Sequence, residues 1–286
     1  MSSNLDLENT IDAAAERCED SAEQALRPSS PDPEREARLQ VLERYLSPER
    51  QRRLESALAK RTERLTVVVD GVIDLGNAAA IMRSCEAMGL HRAFFVDRGW
   101  QHKKPSRGSQ GAHKWMDIKA FADVDGCVEC VKGMGYRLIG ASLDAERSLT
   151  ELDTSGKVAF VLGSEHDGLS EAMLQRCDER YRIDMHGLVQ SLNVAVAAAI
   201  SLFHALNQET PEQRGQLDPS LRDALREDFY RKAVHHSEQI LRRVLGAVPP
   251  LLLPSSYPES MKLGTLRSRR GRVKNESPFV RASMEH

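Results

Sequence analysis

The stretch of chain that most constrains the fold is a polar loop followed at once by a run of small and apolar residues. Residues 188–193 read Leu-Val-Gln-Ser-Leu-Asn, and residues 194–203 read Val-Ala-Val-Ala-Ala-Ala-Ile-Ser-Leu-Phe. Small side chains let the backbone of such a helix approach a neighbouring element or a ligand closely. The pattern therefore predicts a binding loop in front of a buried helix, although a core helix with an ordinary Ser or Asn cap gives the same pattern.

Two other segments pair a short apolar strand with a loop that contains polar residues. Residues 65–69 predict a buried strand, and a glycine-containing loop separates it from a helix that begins near Asn77 and carries Arg83. Residues 158–162 predict a second buried strand, whose loop ends at Ser170, a residue suited to capping the next helix. Open α/β sheets bind ligands beyond their strand ends, so these loops are candidate ligand sites.

Strand and helix patterns alternate along the middle of the chain. Strands are predicted near residues 65–69, 93–96, 115–118, 138–141, 158–162 and 181–183. Helices are predicted near residues 78–88, 124–133, 171–176 and 192–206, with a further helical segment near 219–245. This alternation predicts an α/β fold with a mostly parallel sheet that is covered by helices on both faces.

The composition fits one sizeable core with appendages. The chain has 286 residues, of which 41% are hydrophobic. No apolar run reaches the roughly 20 residues of a membrane helix, and the acidic N-terminus lacks the features of a signal peptide, so no membrane contact and a cytoplasmic location are expected. Cys127 and Cys130 lack the second pair that a zinc site needs, so we expect reduced thiols and no metal.

Charge is unevenly distributed along the chain. Residues 1–36 hold ten acidic residues and three arginines, so the rest is net basic although the formal net charge is −2. The Ser, Pro, Ala and Glu content of this arm predicts disorder. Basic residues gather in a predicted helical hairpin at residues 44–64 and in a tail at residues 262–274. Both runs suit contacts with phosphates, and each also fits a merely solvated surface.

Three motifs occur in order along the α/β segment. They are Asn77-x-x-x-Ile81-x-Arg83, Leu162-Gly163-x-Glu165-x-x-Gly168-Leu169-Ser170 and Ile183-x-Met185-x-Gly187-x-x-x-Ser191-Leu192-Asn193. Together they resemble the motifs of the SpoU family of RNA ribose 2′-O-methyltransferases, within the SPOUT superfamily. The resemblance covers roughly residues 65–206 and implies a deep trefoil knot at the C-terminal end of the core, which general rules of chain topology disfavour. Asp184 stands where the family usually has proline.

The resemblance implies S-adenosylmethionine as the cofactor, bound in loops from all three motifs. The cofactor-binding residues that it implies are Ala141, Gly163, Ile183, Met185, Leu188 and Leu192. At Gly163 and Gly187 a side chain would keep backbone groups away from the adenine and ribose. Core packing is the alternative for Ile183 and Leu192, and we expect their backbone atoms to bind the cofactor while their side chains pack.

The catalytic residues that the resemblance implies are Arg83, Asn77, Glu165, Ser191 and Asn193. A guanidinium has a pKa above about 12, so we expect Arg83 to hold the target phosphate and ribose and to stabilise the developing alkoxide, rather than to act as a base. The ordinary alternatives are a surface ion pair for Arg83, helix capping for the Asn and Ser side chains, and a helix-dipole contact for Glu165.

Residues 107–115 offer cations, a hydroxyl and an aromatic ring, and they resemble a stretch found in the tRNA-directed branch of the family. The RNA-binding candidates are Arg107, Ser109, His113 and Lys114. Trp115 either stacks on RNA or anchors the next strand. The wording of residues 185–193 is also closest to this branch, which methylates guanosine 18 of the tRNA D-loop. The resemblance thus implies tRNA as the substrate.

The family resemblance also implies a homodimer. Ala195, Ala198 and Ala199 fit either helix pairing between subunits or a contact within the chain. Four regions are expected: a disordered acidic arm at residues 1–36, a helical extension at 37–64, the methyltransferase core at 65–206, and a linker, helical extension and basic tail at 207–286. An rRNA ribose methyltransferase of the same family and an inactive RNA-binding protein are the alternative functions.

Overall fold

The computed structural model describes residues 32–71, 74–96, 110–164, 167–210, 213 and 215–246. Most of the expected acidic arm and the whole basic tail at residues 262–274 lie outside this range.

One sheet of six parallel strands forms the centre of the described chain. The strands are β1 (Leu65–Asp70), β2 (Arg92–Val96), β3 (Asp117–Phe121), β4 (Arg137–Ala141), β5 (Val158–Leu162) and β6 (Glu179–Tyr181). Their order is β3-β2-β1-β5-β4-β6, and every neighbouring pair is parallel. β1, β2 and β5 are buried along their whole length, as expected for strands covered on both faces. The predicted parallel α/β sheet is confirmed.

Helices cover both faces of the sheet and extend beyond it. They are α1 (Pro33–Glu43), α2 (Pro48–Ala59), α3 (Leu75–Ala87), α4 (Val124–Gly133), α5 (Glu171–Leu174), α6 (Val194–Asn207), α7 (Pro219–Ala233) and α8 (Ser237–Leu245). Ile81 of α3 and Leu202 of α6 share one apolar core with β1. Val131 of α4 and Met173 of α5 belong to the core on the other face. The sheet is therefore flanked on both sides, as predicted.

Three element boundaries differ from the predicted ones. β3 starts at Asp117 rather than near 115, because residues Ala112–Lys114 form a short 3-10 helix that ends at Trp115. β6 is predicted near 181–183 but lies at Glu179–Tyr181, and the next residue, Arg182, exchanges backbone hydrogen bonds with Arg147 and Leu149 instead. α6 begins at Val194, because Asn193 caps it.

The terminal helices form one layer with a shared apolar core. Leu42 of α1, Leu58 of α2 and Phe229 of α7 are buried together. Trp115 also packs here, with its ring 5.3 Å from that of Phe229 in an edge-on arrangement. These helices thus form a single helical layer, and Trp115 connects it to the sheet.

The described residues contain neither a membrane-spanning helix nor a cluster of metal ligands. No described helix has the length and apolar character needed to cross a membrane. Within the same residues, no group of three or more His, Cys, Asp and Glu side chains is placed to hold a metal ion. Cys127 and Cys130 are buried, and both are free thiols.

Candidate functional site

A cavity of about 460 Å³ lies at the carboxyl ends of β4, β5 and β6. Loops that follow these three strands line it, together with the start of α6. Five of the residues predicted to bind cofactor are among its lining: Ala141, Gly163, Ile183, Met185 and Leu192. A volume between about 300 and 1,000 Å³ is typical of small-molecule sites. The structure therefore brings segments far apart in sequence to one ligand-sized cavity.

Gly163 is required by a tight turn that forms one wall of the cavity. Ser164 and Gly168 exchange two backbone hydrogen bonds, of 3.0 and 3.1 Å, and Gly168 adopts a φ of +67°. A β-carbon on Gly163 would lie 2.0 Å from the carbonyl carbon of Gly168, which no real structure tolerates. The loop therefore folds against Gly163 even before any ligand is considered.

Leu188 and Gly187 are placed differently from the expectation. Neither lines the cavity, and the Leu188 side chain is fully exposed. A β-carbon on Gly187 would meet no atom within 4 Å. The predicted role of Leu188 in this cavity is not supported by its placement, because its side chain points into solvent.

A hydrogen bond between Asn77 and Asn193 connects the first motif with the third. The Asn193 amide Nδ2 donates to Asn77 Oδ1 at 2.9 Å, and Asn193 Oδ1 accepts from the backbone N–H of Ala195 at 2.9 Å. Asn193 thus caps α6 and also fixes Asn77. The capping alternative for Asn77 is wrong, because Asp74 caps α3 through a 2.6 Å bond from the N–H of Gly76.

Tyr181 lines the first cavity and contacts α6 through its hydroxyl group. Its hydroxyl lies 2.6 Å from the Ser201 hydroxyl, and both side chains are buried. Burial raises the pKa of Tyr181, so the phenol stays neutral and serves as a structural hydrogen-bonding group. Ser191 also lines the cavity and is exposed.

Arg83 lies on an exposed position of α3, outside the first cavity. It lines a second cavity of about 310 Å³ between α2, α3 and the residues around Trp115. Among the described residues, no carboxylate lies within ion-pair distance of Arg83, so the ion-pair alternative finds no support. The guanidinium faces a space in which a ligand can reach it.

Two further arginines line the second cavity, and sequence reasoning did not connect them with Arg83. Arg50 and Arg53 of α2 face Arg83, and the Arg50 guanidinium lies 5.7 Å from the centre of the Trp115 ring. The one described carboxylate in this lining, Glu86, already pairs with Arg61 at 2.9 Å. The signal in the sequence was the three-residue spacing of Arg50 and Arg53, which places both on one helix face.

The other predicted site residues either lie outside the described part of the chain or stand beside the second cavity. Glu165, Arg107 and Ser109 lie outside the described residues. His113 and Lys114 lie in the short 3-10 helix beside the second cavity but do not line it, and Lys114 is exposed.

The fold and the cavity together define a class, that of α/β enzymes that bind a small molecule at the carboxyl edge of a parallel sheet. Residues 64–203 match the model of the SpoU rRNA Methylase family. The chain is 34% identical over 187 residues to the tRNA (guanosine(18)-2'-O)-methyltransferase of Thermus thermophilus, a match that covers 64% of this chain and 96% of that protein. The chain belongs to the SpoU methylase family, as its motifs predicted.

Two further comparisons agree with this membership. A 23S rRNA (guanosine-2'-O-)-methyltransferase of Xylella fastidiosa is 36% identical over 149 residues, which are 51% of this chain and 59% of that protein. The crystal structure of the A. aeolicus TrmH/SpoU tRNA modifying enzyme superposes with a TM-score of 0.59 at 28% identity, covering 65% of this chain and 98% of that one.

Proposed function

We propose that this protein transfers a methyl group from S-adenosylmethionine to a ribose 2′-hydroxyl of tRNA, at guanosine 18 of the D-loop. The observation that carries the proposal is the convergence of the three motifs. The Asn193 to Asn77 hydrogen bond joins the third motif to the first, beside a cavity that the second and third motifs line. The similarity to the Thermus thermophilus enzyme, over 96% of that protein, supports the target.

The first cavity suits S-adenosylmethionine, which supplies the activated methyl group when it is bound. The turn at Gly163 leaves no room for a side chain, so the backbone of this turn packs closely at the wall of the cavity. Ile183 and Leu192 line the cavity while they are only partly buried, which fits backbone contacts to a ligand and packing by the side chains.

Arg83 is the residue that we assign to the ribose. Methyl transfer to an oxygen is an in-line displacement, so positioning of the hydroxyl is most of the task. The forked donors of Arg83 suit a phosphate next to the target ribose, and its charge stabilises the alkoxide that develops at the 2′-oxygen. Asn77, held by Asn193, orients the substrate from the first turn of the same helix, and Ser191 and Glu165 act beside them.

The second cavity supplies a route for the RNA backbone to Arg83. Arg50, Arg53 and Arg83 form a basic groove, and Trp115 offers a face on which Arg50 stacks. Phosphate contacts dominate affinity for RNA and make it dependent on salt. His113 and Lys114 stand at the edge of this groove and extend it.

Replacing Arg50 and Arg53 together by alanine is expected to weaken tRNA binding about tenfold at 0.1 M salt and to lower the salt slope by about 1.5, since about 0.7–0.9 is lost per phosphate contact. Fluorescence titration across a series of salt concentrations measures both. Arg52→Ala is the matched control, because Arg52 is exposed on the same helix and does not line the groove. Equal losses in the control and the double variant would contradict the assignment.

The outer face of α6 supports the homodimer. Ala195, Ala198 and Leu202 are buried within the chain, whereas Val196, Ile200 and Phe203 on the other face are exposed by 46%, 37% and 61%. An exposed apolar stripe of this kind is typical of a subunit interface. We assign this face to a second copy of the chain.

Phe203→Asp is expected to convert the protein to a monomer of 31.9 kDa, because a carboxylate cannot be buried unpaired in an apolar interface. Sedimentation equilibrium measures the mass, and Tyr45→Asp, which replaces a similarly exposed aromatic side chain outside α6, is the control. A wild-type protein of 31.9 kDa at every concentration would overturn the dimer.

The proposal also includes a trefoil knot in the core and a cytoplasmic location. After β6, at the edge of the sheet, the chain returns through α6 to pack against α3, β1 and β5 at its centre, a course that fits a trefoil knot. The location that we propose is the cytoplasm, in keeping with a tRNA substrate.

Labelled methyl transfer to unmodified tRNA and, separately, to rRNA tests the function. Transfer to tRNA supports the proposal. Transfer to rRNA alone would favour the second candidate function, to which the Xylella fastidiosa similarity points. Absence of transfer and of cofactor binding would favour an RNA-binding protein without activity.

A further inference from the structure

We propose that Asp184 is a positioning residue that latches together the two loops on either side of the cofactor cavity. The proposal rests on the function proposed above, in that the first cavity holds S-adenosylmethionine. The Asp184 latch consists of Asp184, Arg182 and Ser148.

Both carboxylate oxygens of Asp184 accept hydrogen bonds, one from Ser148 and one from Arg182. The Ser148 hydroxyl donates to Oδ2 at 2.6 Å, and the Arg182 Nε donates to Oδ1 at 2.9 Å. Ser148 is 6% exposed and caps the 3-10 helix Leu149–Glu151, so its hydroxyl is held in place. The hydrogen bond from Ser148 and the charge of Arg182 lower the pKa of Asp184, so the carboxylate is ionised at neutral pH.

Arg182 extends the latch to the loop that follows β4. Its Nη1 donates to the carbonyl of Ala145 at 2.9 Å and to that of Glu146. The backbone N–H of Arg182 donates to Arg147 O at 2.9 Å, and the N–H of Leu149 donates to Arg182 O at 2.8 Å. The two loops therefore run side by side beyond the end of β6.

These loops form two walls of the same cavity. Residues 142–144 line it from the loop after β4, and Ile183 and Met185 line it from the loop after β6. Asp184 lies between Ile183 and Met185 and does not itself line the cavity. Its effect on the cofactor must therefore act through the position of its neighbours.

Asp184→Ala is expected to raise the dissociation constant for S-adenosylmethionine about tenfold, because the removed hydrogen bonds involve a charged but partly exposed group. Isothermal titration calorimetry measures it. Ser148→Ala is expected to show a similar loss, and Asp184→Asn, which keeps acceptors for Ser148, a smaller one. Glu146→Ala is the matched control, because its exposed carboxylate lies in the same loop and makes no described contact.

Measurements of KM, tRNA affinity and thermal stability distinguish a positioning role of Asp184 from a role in the stability of the fold. The KM for S-adenosylmethionine is expected to rise in Asp184→Ala, while tRNA affinity and the thermal midpoint stay near wild type. Wild-type cofactor affinity in Asp184→Ala and Ser148→Ala would overturn the latch, as would an equal loss in Glu146→Ala. Failure of the wild-type protein to bind S-adenosylmethionine would instead overturn the proposed function.

Discussion

Replacing Arg83 by alanine is expected to lower kcat by about 10²- to 10³-fold, the range found when one donor to a developing oxyanion is removed. Arg83 is exposed on α3 and lacks a carboxylate partner among the described residues, so its removal leaves the fold intact. It does not line the first cavity, so affinity for S-adenosylmethionine is expected to be unchanged. Steady-state methyl transfer at saturating tRNA and S-adenosylmethionine measures kcat, and calorimetry measures cofactor affinity.

Arg83→Lys tests the geometric part of this account. A lysine keeps the charge and loses the two parallel donors, so activity is expected to fall between the wild-type and alanine values. Arg52→Ala removes the same charge from an exposed site on α2 and is expected to keep the wild-type rate. Methylation at the wild-type rate by Arg83→Ala would refute the catalytic assignment.

Replacing Gly163 by alanine is expected to weaken S-adenosylmethionine binding about 5- to 150-fold, since forcing a methyl group into a packed backbone typically costs 1–3 kcal/mol. The new β-carbon would lie 2.0 Å from the carbonyl carbon of Gly168, so the turn that walls the cavity must open. Because backbone atoms cannot yield as a flexible side chain does, the strain falls on the ligand site itself. Calorimetry gives the affinity, and circular dichroism shows whether the sheet persists.

Gly187→Ala provides the control for this substitution. It makes the same chemical change in the third motif, where the β-carbon meets no atom within 4 Å. The structure therefore predicts a fold and a stability near wild type. Equal affinity for S-adenosylmethionine in Gly163→Ala and the wild type would show that the cavity is not the cofactor site.

The sheet and the first cavity were accessible from the sequence because their signals are local. A buried parallel strand is a short apolar run, and β1 and β5 were predicted within one residue of their observed ends. An Asn or Ser cap for α6 was one alternative that the adjoining residues offered, but the predicted start near residue 192 lay two residues before the observed one. Asn77 was harder, because the helix start depends on Asp74, three residues earlier, which caps it in the structure.

The basic groove and the latch were not accessible from the sequence, because each depends on contacts between distant segments. Arg50 meets Trp115 only after α2 and α7 have packed into one helical layer. The bond between Ser148 and Asp184 spans 36 residues. Periodicity identifies which face of an element is apolar, but it does not say which elements meet.

The most direct test of the central claim is methyl transfer to two unmodified tRNA transcripts that differ only at position 18, followed by mapping of ribose methylation. Methylation specific for guanosine 18 predicts a 2′-O-methyl group at that position of the first transcript and none in the transcript with adenosine there. Equal methylation of both transcripts, or methylation of rRNA alone, would contradict it.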